Sequence, residues 1–154
     1  MKKKILILCS ILICMFIFTA CGSKTAINTD KFISTMESKG FVISDVTDQF
    51  AGVDFLNDVT VAMKDSGEYQ IEFYNLKDES NAIEAFNINK EEFEKEKGST
   101  STESSASLKN YSTYSLTSNG KYMYVSRIDN TLIYLDVSKE YKDEVKEIIN
   151  ELGY

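Results

Sequence analysis

The sequence contains no histidine, no proline and no tryptophan, and Arg127 is its only arginine. Without histidine, the commonest general base and the commonest metal ligand are missing. No G-x-S-x-G elbow surrounds any serine and no glycine-rich loop precedes a helical pattern, so no serine nucleophile or phosphate cradle is indicated. The sequence predicts a non-enzymatic protein with no catalytic residues and no cofactor. A hydrolase that uses paired carboxylates is the least favoured alternative.

Acidic side chains dominate the charge. All 24 of them lie after residue 20, whereas three of the 17 basic side chains lie before it. Residues 21–154 therefore carry 14 minus 24, or −10, side-chain charges. Such a surface lacks the basic footprint of a nucleic-acid-binding protein and is repelled by anionic lipid headgroups. We predict no nucleic-acid partner and a domain that stands off the membrane.

The first twenty residues have the layout of a secretory signal. Three lysines, at positions 2–4, precede a predominantly apolar run over 5–20, which is shorter than the roughly 20 residues that span a bilayer. The run ends in Phe18, Thr19 and Ala20, directly before Cys21. This arrangement resembles the lipobox of bacterial lipoproteins. An uncleaved membrane anchor is the alternative.

The resemblance implies that Cys21 accepts a diacylglyceryl group and becomes the first residue of the mature protein. The chain then divides into a signal peptide (1–20), a lipidated tether (21–28) and one domain (29–154). Two acyl chains hold a protein stably on a membrane, so the implied location is the extracytoplasmic face of the cell membrane, as in small Gram-positive lipoproteins. Cys9 and Cys14 leave with the signal, which excludes a disulfide and a cysteine metal site.

The first half of the domain predicts two helices separated by strands. Apolar spacing places the helices over 30–39 and 79–97, with a strand over 41–43. The loop before the next strand is rich in aspartate, at Asp45, Asp48, Asp54 and Asp58. Oxygen ligands of this kind suit calcium, but the spacing lacks the D-x-[DN]-x-[DN]-G pattern, so we interpret them as solvated loop charges and predict no metal site.

Two hairpins are predicted from alternating apolar residues. A three-residue loop at 65–67 would pair Met63 with Tyr69 and place the apolar residues of both strands on one face. In the second half, the same turn chemistry pairs Leu116 with Tyr122. The Ser/Thr-rich stretch 98–107 shows no periodicity and is predicted to be a mobile loop.

A further turn at 129–130 leads into a strand over 131–137, and a last helix follows Ser138. The element order is therefore α-β-β-β-α-β-β-β-α. Strands and helices that each have one apolar face pack as two layers. We predict an α+β domain with a twisted antiparallel sheet and helices packed on one face, of ferredoxin-like, TATA-binding-protein-like or cystatin-like type.

The second face of that sheet is the candidate binding surface. If the even-numbered tyrosines of the penultimate strand point to the core, apolar residues around one cation lie on the other side, namely Met123, Val125, Arg127, Leu132 and Tyr134. An open apolar patch of this kind is typical of an interaction site. The alternatives are that the first helix or another subunit covers it, or that the register is off by one residue.

Two functions remain open at this stage. The first is a membrane-anchored, non-enzymatic binding module that holds a protein partner on the exposed sheet face. The second is a small-solute receptor that serves a transporter. A deep pocket with convergent polar groups favours the receptor, and a flat apolar face favours the interaction module.

Overall fold

The computed structural model describes residues 22–154. Helix α1 covers Thr29–Ser38, α2 covers Glu79–Lys95 and α3 covers Lys142–Glu151, with 3-10 turns at Thr47–Phe50 and Lys139–Tyr141. The strands are β1 (Phe41–Asp45), β2 (Leu56–Lys64), β3 (Gln70–Leu76), β4 (Ser101–Leu108), β5 (Tyr111–Ser118), β6 (Lys121–Ile128) and β7 (Thr131–Ser138). No helix within this range is long and apolar enough to cross a membrane. The signal, the lipobox and Cys21 lie outside the described residues.

All seven strands form one antiparallel sheet in the order β1-β2-β3-β7-β6-β5-β4. The first three strands and the last four are two meanders, which meet where β3 pairs with β7. The α+β class and the antiparallel sheet are as predicted. The predicted element order is wrong by one strand, because four strands rather than three follow α2.

The additional strand is β4, which occupies most of the stretch predicted to be a mobile loop. It forms a regular ladder with β5, from Ser101 opposite Ser118 to Leu108 opposite Tyr111. Every residue of β4 is exposed, because the strand lies at the sheet edge beyond the reach of the helices. A strand that buries neither face has no apolar alternation, so no periodic signal marks it in the sequence.

Helices cover both faces of the sheet, which corrects the prediction of a single helical layer. Helices α1 and α3 pack on one face, where Phe32 and Ile148 meet Phe73 and Ile133. Helix α2 packs on the other face through Ala82, Phe86 and Phe93. Strand β6 lies between these layers, and its residues 122–128 are all buried. A central strand enclosed on both sides carries apolar residues on both faces, as residues 122–125 do.

Both predicted hairpin registers are wrong by one residue. Met63 lies opposite Gln70 rather than Tyr69, and the Lys64 amide donates to the Tyr69 carbonyl at 2.9 Å, so the loop has four residues. The shift turns the small side chain of Ala62 toward α1 and leaves Met63 partly exposed on the other face. Likewise Leu116 lies opposite Met123 rather than Tyr122. A helix can pack closely on an alanine. This packing outweighs the register predicted from the alternation of the larger apolar residues.

The stretch predicted to be a linker is docked onto the domain from Lys24 onward. Ala26 and Ile27 pack against the core formed by α1 and α3. The Asn28 side chain caps α1 by accepting from the Lys31 amide at 2.9 Å. Within the described tether Lys24, Ala26 and Ile27 are partly buried, whereas Gly22, Ser23, Thr25 and Asn28 are exposed.

Candidate functional site: an apolar groove beside α2

The predicted binding face is not an open surface. Met123, Val125 and Leu132 do lie on one side of β6 and β7, as predicted, but α2 covers them and they are fully buried. Tyr134 is half-buried, and its ring stacks on Phe93 of α2 at 5.3 Å between centroids. The prediction of an exposed sheet face is therefore wrong. The sequence shows that α2 lies between the two meanders, but it does not indicate on which face of the sheet the helix packs.

Arg127 is a buried structural cation. It is 5% exposed, and its Nη1 donates to Glu79 Oε1 at 3.1 Å and to the Asn110 carbonyl at 3.3 Å. Its Nε has no hydrogen-bond partner among the described residues. Glu79 stands in the first turn of α2, so the ion pair fixes the start of that helix to the sheet. Arg127 therefore positions α2 and cannot contact a partner.

Helix α2 leaves part of its face of the sheet uncovered, and an apolar groove of about 290 Å³ lies there. The floor consists of side chains from β2, β3 and β7. One wall is α2, and the other is the segment between β1 and β2. The apolar lining residues are Phe50, Val53, Phe55, Leu56, Tyr74, Leu76, Ala85, Ile88 and Leu132. At the lip, the Phe55 side chain is 46% exposed and Ile88 is 54% exposed.

Local hydrogen bonds hold the wall formed by the β1–β2 segment. Asp45 accepts from the hydroxyl of Thr47 at 2.6 Å, and that hydroxyl accepts from the Val59 amide at 3.0 Å. The Lys77 amide donates to the Phe55 carbonyl at 3.0 Å, which ties the end of the segment to β3. The Phe50 ring meets Tyr74 edge-on at 6.1 Å. The wall is thus built into the fold rather than left as a free loop.

Two of the aspartates predicted to lie in this loop, Asp45 and Asp58, accept structural hydrogen bonds. Hydrogen bonds from Thr47 lower the pKa of Asp45, which keeps it ionised as an acceptor. Asp58 accepts from the Thr29 hydroxyl and from the Asn75 amide, both at 2.7 Å. Among residues 22–154 no three carboxylates converge as metal ligands. The structure gives two of the four predicted loop aspartates a structural role.

Polar groups lie along one side of the groove. Asn81, Glu84 and Asn89 line it from α2, and the Asn89 amide donates to the Ala85 carbonyl at 2.8 Å. Tyr74 donates its hydroxyl to Glu72, and burial, followed by this bond, raises the tyrosine pKa well above its usual range. Tyr74 is therefore a neutral, fixed part of the floor. The groove can hold an apolar group and offers Glu84 and Asn81 to a polar end.

Leu132 is the one groove residue that the sequence predicted as a site residue, and the other lining residues were not predicted. The stretch 45–58 was interpreted only through its aspartates, yet it contains Phe50, Val53, Phe55 and Leu56. Four apolar residues in a segment without strand or helix periodicity were the available signal, because a solvated loop does not ordinarily carry them.

Comparison with known proteins adds little. No protein-family model matches the chain, and no curated protein matches it. A solved structure described as a GTP binding regulator from Thermotoga maritima is similar over 78% of this chain and 83% of its own, with 21% sequence identity and a TM-score of 0.41. A likeness at this level carries no argument about function.

Proposed function

We propose that this protein is a non-enzymatic lipoprotein, anchored through Cys21 at the outer face of the cell membrane, which binds the apolar part of a small amphiphile in the groove beside α2. The groove itself carries the proposal. It is concave and apolar and has polar groups on one side only, which is the usual make-up of a small-molecule site. Its volume of about 290 Å³ lies near the lower end of the usual range for small-molecule pockets.

The exposed lip supports the same occupant. Phe55 and Ile88 stand on opposite walls, and each retains about half of its surface in water. Full burial of such a side chain contributes roughly 1.5–3 kcal/mol, so covering half of each by a ligand contributes a useful share of the binding free energy. An amphiphile would place its polar end near Glu84, at the rim.

A protein partner that inserts one apolar side chain into the groove is the second candidate. The exposed Phe55 and Ile88 favour it, because they extend the apolar surface beyond the groove. The sheet face first predicted for such a partner is excluded, since α2 covers it. A soluble small-molecule probe separates the two candidates. If the groove accepts only the side chain of a protein partner, the probe should show no saturable binding.

Filling the groove should abolish probe binding. We expect the domain of residues 22–154 to bind the neutral probe N-phenyl-1-naphthylamine saturably at one site. Ala85→Phe puts a ring into the groove and should weaken binding at least tenfold, because the ring occupies the ligand's volume. Asn87→Phe introduces the same ring at an exposed position of the same helix and should leave binding unchanged. Fluorescence titration measures both. Equal affinity in all three proteins would contradict the groove as the site.

Lipid attachment has its own test. Cells that express the full chain and are fed an alkyne fatty acid should label the protein, and Cys21→Ala should remove both the label and the membrane association. Cys14→Ala, in the segment proposed to be cleaved, is the matched control and should retain both. A Cys21→Ala protein that is still labelled would show that the lipid lies elsewhere.

A further inference from the structure

The segment just after Cys21 is fixed to one corner of the domain. The Lys24 amide donates to Asn110 Oδ1 at 3.1 Å, and Asn110 Nδ2 donates back to the Lys24 carbonyl at 2.7 Å. The Lys24 ammonium group lies 4.9 Å from the centroid of the Tyr111 ring. Together with the docked Ala26 and Ile27, these contacts make residues 24–28 a rigid arm.

The corner that receives the arm is itself held firmly. Asn110 lies in the β4–β5 turn and donates to Asp129 Oδ1 at 3.0 Å, while the Asp129 amide donates to the Asn110 carbonyl at 2.8 Å. Two turns at the same end of the sheet are therefore joined at the point where Lys24 attaches. The direction in which the chain leaves the domain is set by the fold.

The remaining length to Cys21 is short. Cys21 precedes Lys24 by three residues, which span at most about 10 Å at roughly 3.5 Å per residue. A free tether over 21–28 would have reached more than twice as far. A lipid on Cys21 therefore keeps this corner close to the membrane surface.

The surface of the corner suits lipid headgroups. Leu108, at the end of β4, is 54% exposed, and the adjacent Lys109 is exposed in the turn. Lys24 lies over the ring of Tyr111, and Tyr111 is the cross-strand partner of Leu108, so Lys24, Leu108 and Lys109 all lie at this turn. We name these three residues the anchor corner. An apolar side chain flanked by lysines is favoured at a membrane interface.

The acidic side chains at this end of the sheet are mostly distant from the anchor corner. The segment that holds Asp45, Asp48 and Asp54 flanks β2, which lies four strands away from β5. At about 4.8 Å per strand, the separation is roughly 19 Å, about two Debye lengths at physiological salt. Asp129 and Glu79 are close, but the Asp129 carboxylate accepts from Asn110 and the Glu79 carboxylate is paired with Arg127. Contact at the anchor corner thus tilts the acidic edge away from anionic lipids.

We infer that the arm orients the domain, with the anchor corner of Lys24, Leu108 and Lys109 in contact with the membrane and the acidic β1–β2 edge raised from it. This inference rests on the proposed lipid at Cys21. The partner is the lipid surface itself. Because the arm is docked on the domain, the lipid anchor fixes the orientation of the domain as well as its distance from the membrane.

The test uses the full chain, processed in cells and reconstituted in vesicles of phosphatidylcholine and phosphatidylglycerol at 3:1. An Ala106→Cys variant places a fluorophore near the anchor corner, and Ser66→Cys places it in the β2–β3 turn at the opposite end of the sheet. Quenching by a nitroxide on the lipid headgroup should be several-fold stronger at position 106. Ten Gly/Ser residues inserted between Ser23 and Lys24 should reduce quenching at position 106 to the level at position 66.

The outcomes separate the two proposals. The mass of the N-terminal peptide reports the lipid directly, and a peptide without the diacylglyceryl group overturns both the anchor and the orientation. Equal quenching at the two positions on a lipidated protein overturns the orientation alone. Quenching at position 106 that survives the insertion also overturns it, because a lengthened tether cannot hold the corner in place.

Discussion

Replacing Phe73 with alanine is expected to lower the free energy of unfolding by about 3–5 kcal/mol. Phe73 lies in β3, is fully buried, and stacks on Phe32 of α1 with ring centroids 5.0 Å apart. Its neighbours across the sheet are Thr60 and Ile133, so strands on both sides enclose it. Removing the ring opens a cavity that α1 can fill only by moving away from its own partners.

Urea unfolding followed by circular dichroism measures this loss. Domains of this size have a total stability of about 5–15 kcal/mol, so the variant should unfold at a much lower urea concentration or fail to fold. Phe55→Ala removes the same ring from the groove lip, where about half of it is already in water, and should cost far less. Similar losses for the two variants would mean that the β1–β2 segment is as important to the core as β3.

Arg127 should respond to two substitutions with losses of very different size. Arg127→Glu puts a second carboxylate beside Glu79 in a site that is 5% exposed, and we expect it to cost about 3–5 kcal/mol because the new charge is buried without a partner. Arg127→Met keeps the apolar length and removes the charge. It should cost much less, because the Glu79 carboxylate that remains is about half exposed and is solvated by water instead of being buried without a partner.

The same urea titration distinguishes the roles of charge and geometry at this position. If Arg127→Met is as harmful as Arg127→Glu, the hydrogen bond to the Asn110 carbonyl and the ion pair to α2 are essential to the fold. If both variants are tolerated, the start of α2 does not depend on the sheet. Neither variant is a suitable probe of partner binding, because both act on the fold.

The sequence identified which residues of β6 and β7 share a face, because alternation along a strand depends only on the pleat. It could not show that both faces are buried, since this depends on where α2 packs, on contacts far apart in the chain. The run of apolar residues over 122–125 was a usable sign, because apolar residues on both faces are typical of a central strand. For this reason the predicted binding face, expected to be exposed, coincides with the surface that α2 covers.

Hairpin registers depend on single residues in the turn and on what the neighbouring layer accepts. The alternation of Val59 and Met63 predicted that their face packs against the core. In the structure Ala62, on the other face, allows α1 to pack closely, and the observed register places Ala62 in the core. Strand β4 gave no apolar signal because it buries nothing. The groove depends on Phe50 and Phe55, whose spacing fits neither a helix period nor a strand period. Their position beside α2 is therefore visible in the structure and not in the sequence.

The junction between the two meanders has a consequence for how the chain assembles. Every other ladder of the sheet joins strands that are consecutive in sequence, whereas β3 and β7 pair across more than fifty residues and only over Glu72–Asn75 against Thr131–Tyr134. Local hairpins close quickly, and pairing across a long loop carries a larger entropy cost. The two meanders can each form early, and the rate of folding is then set by closing this one short ladder.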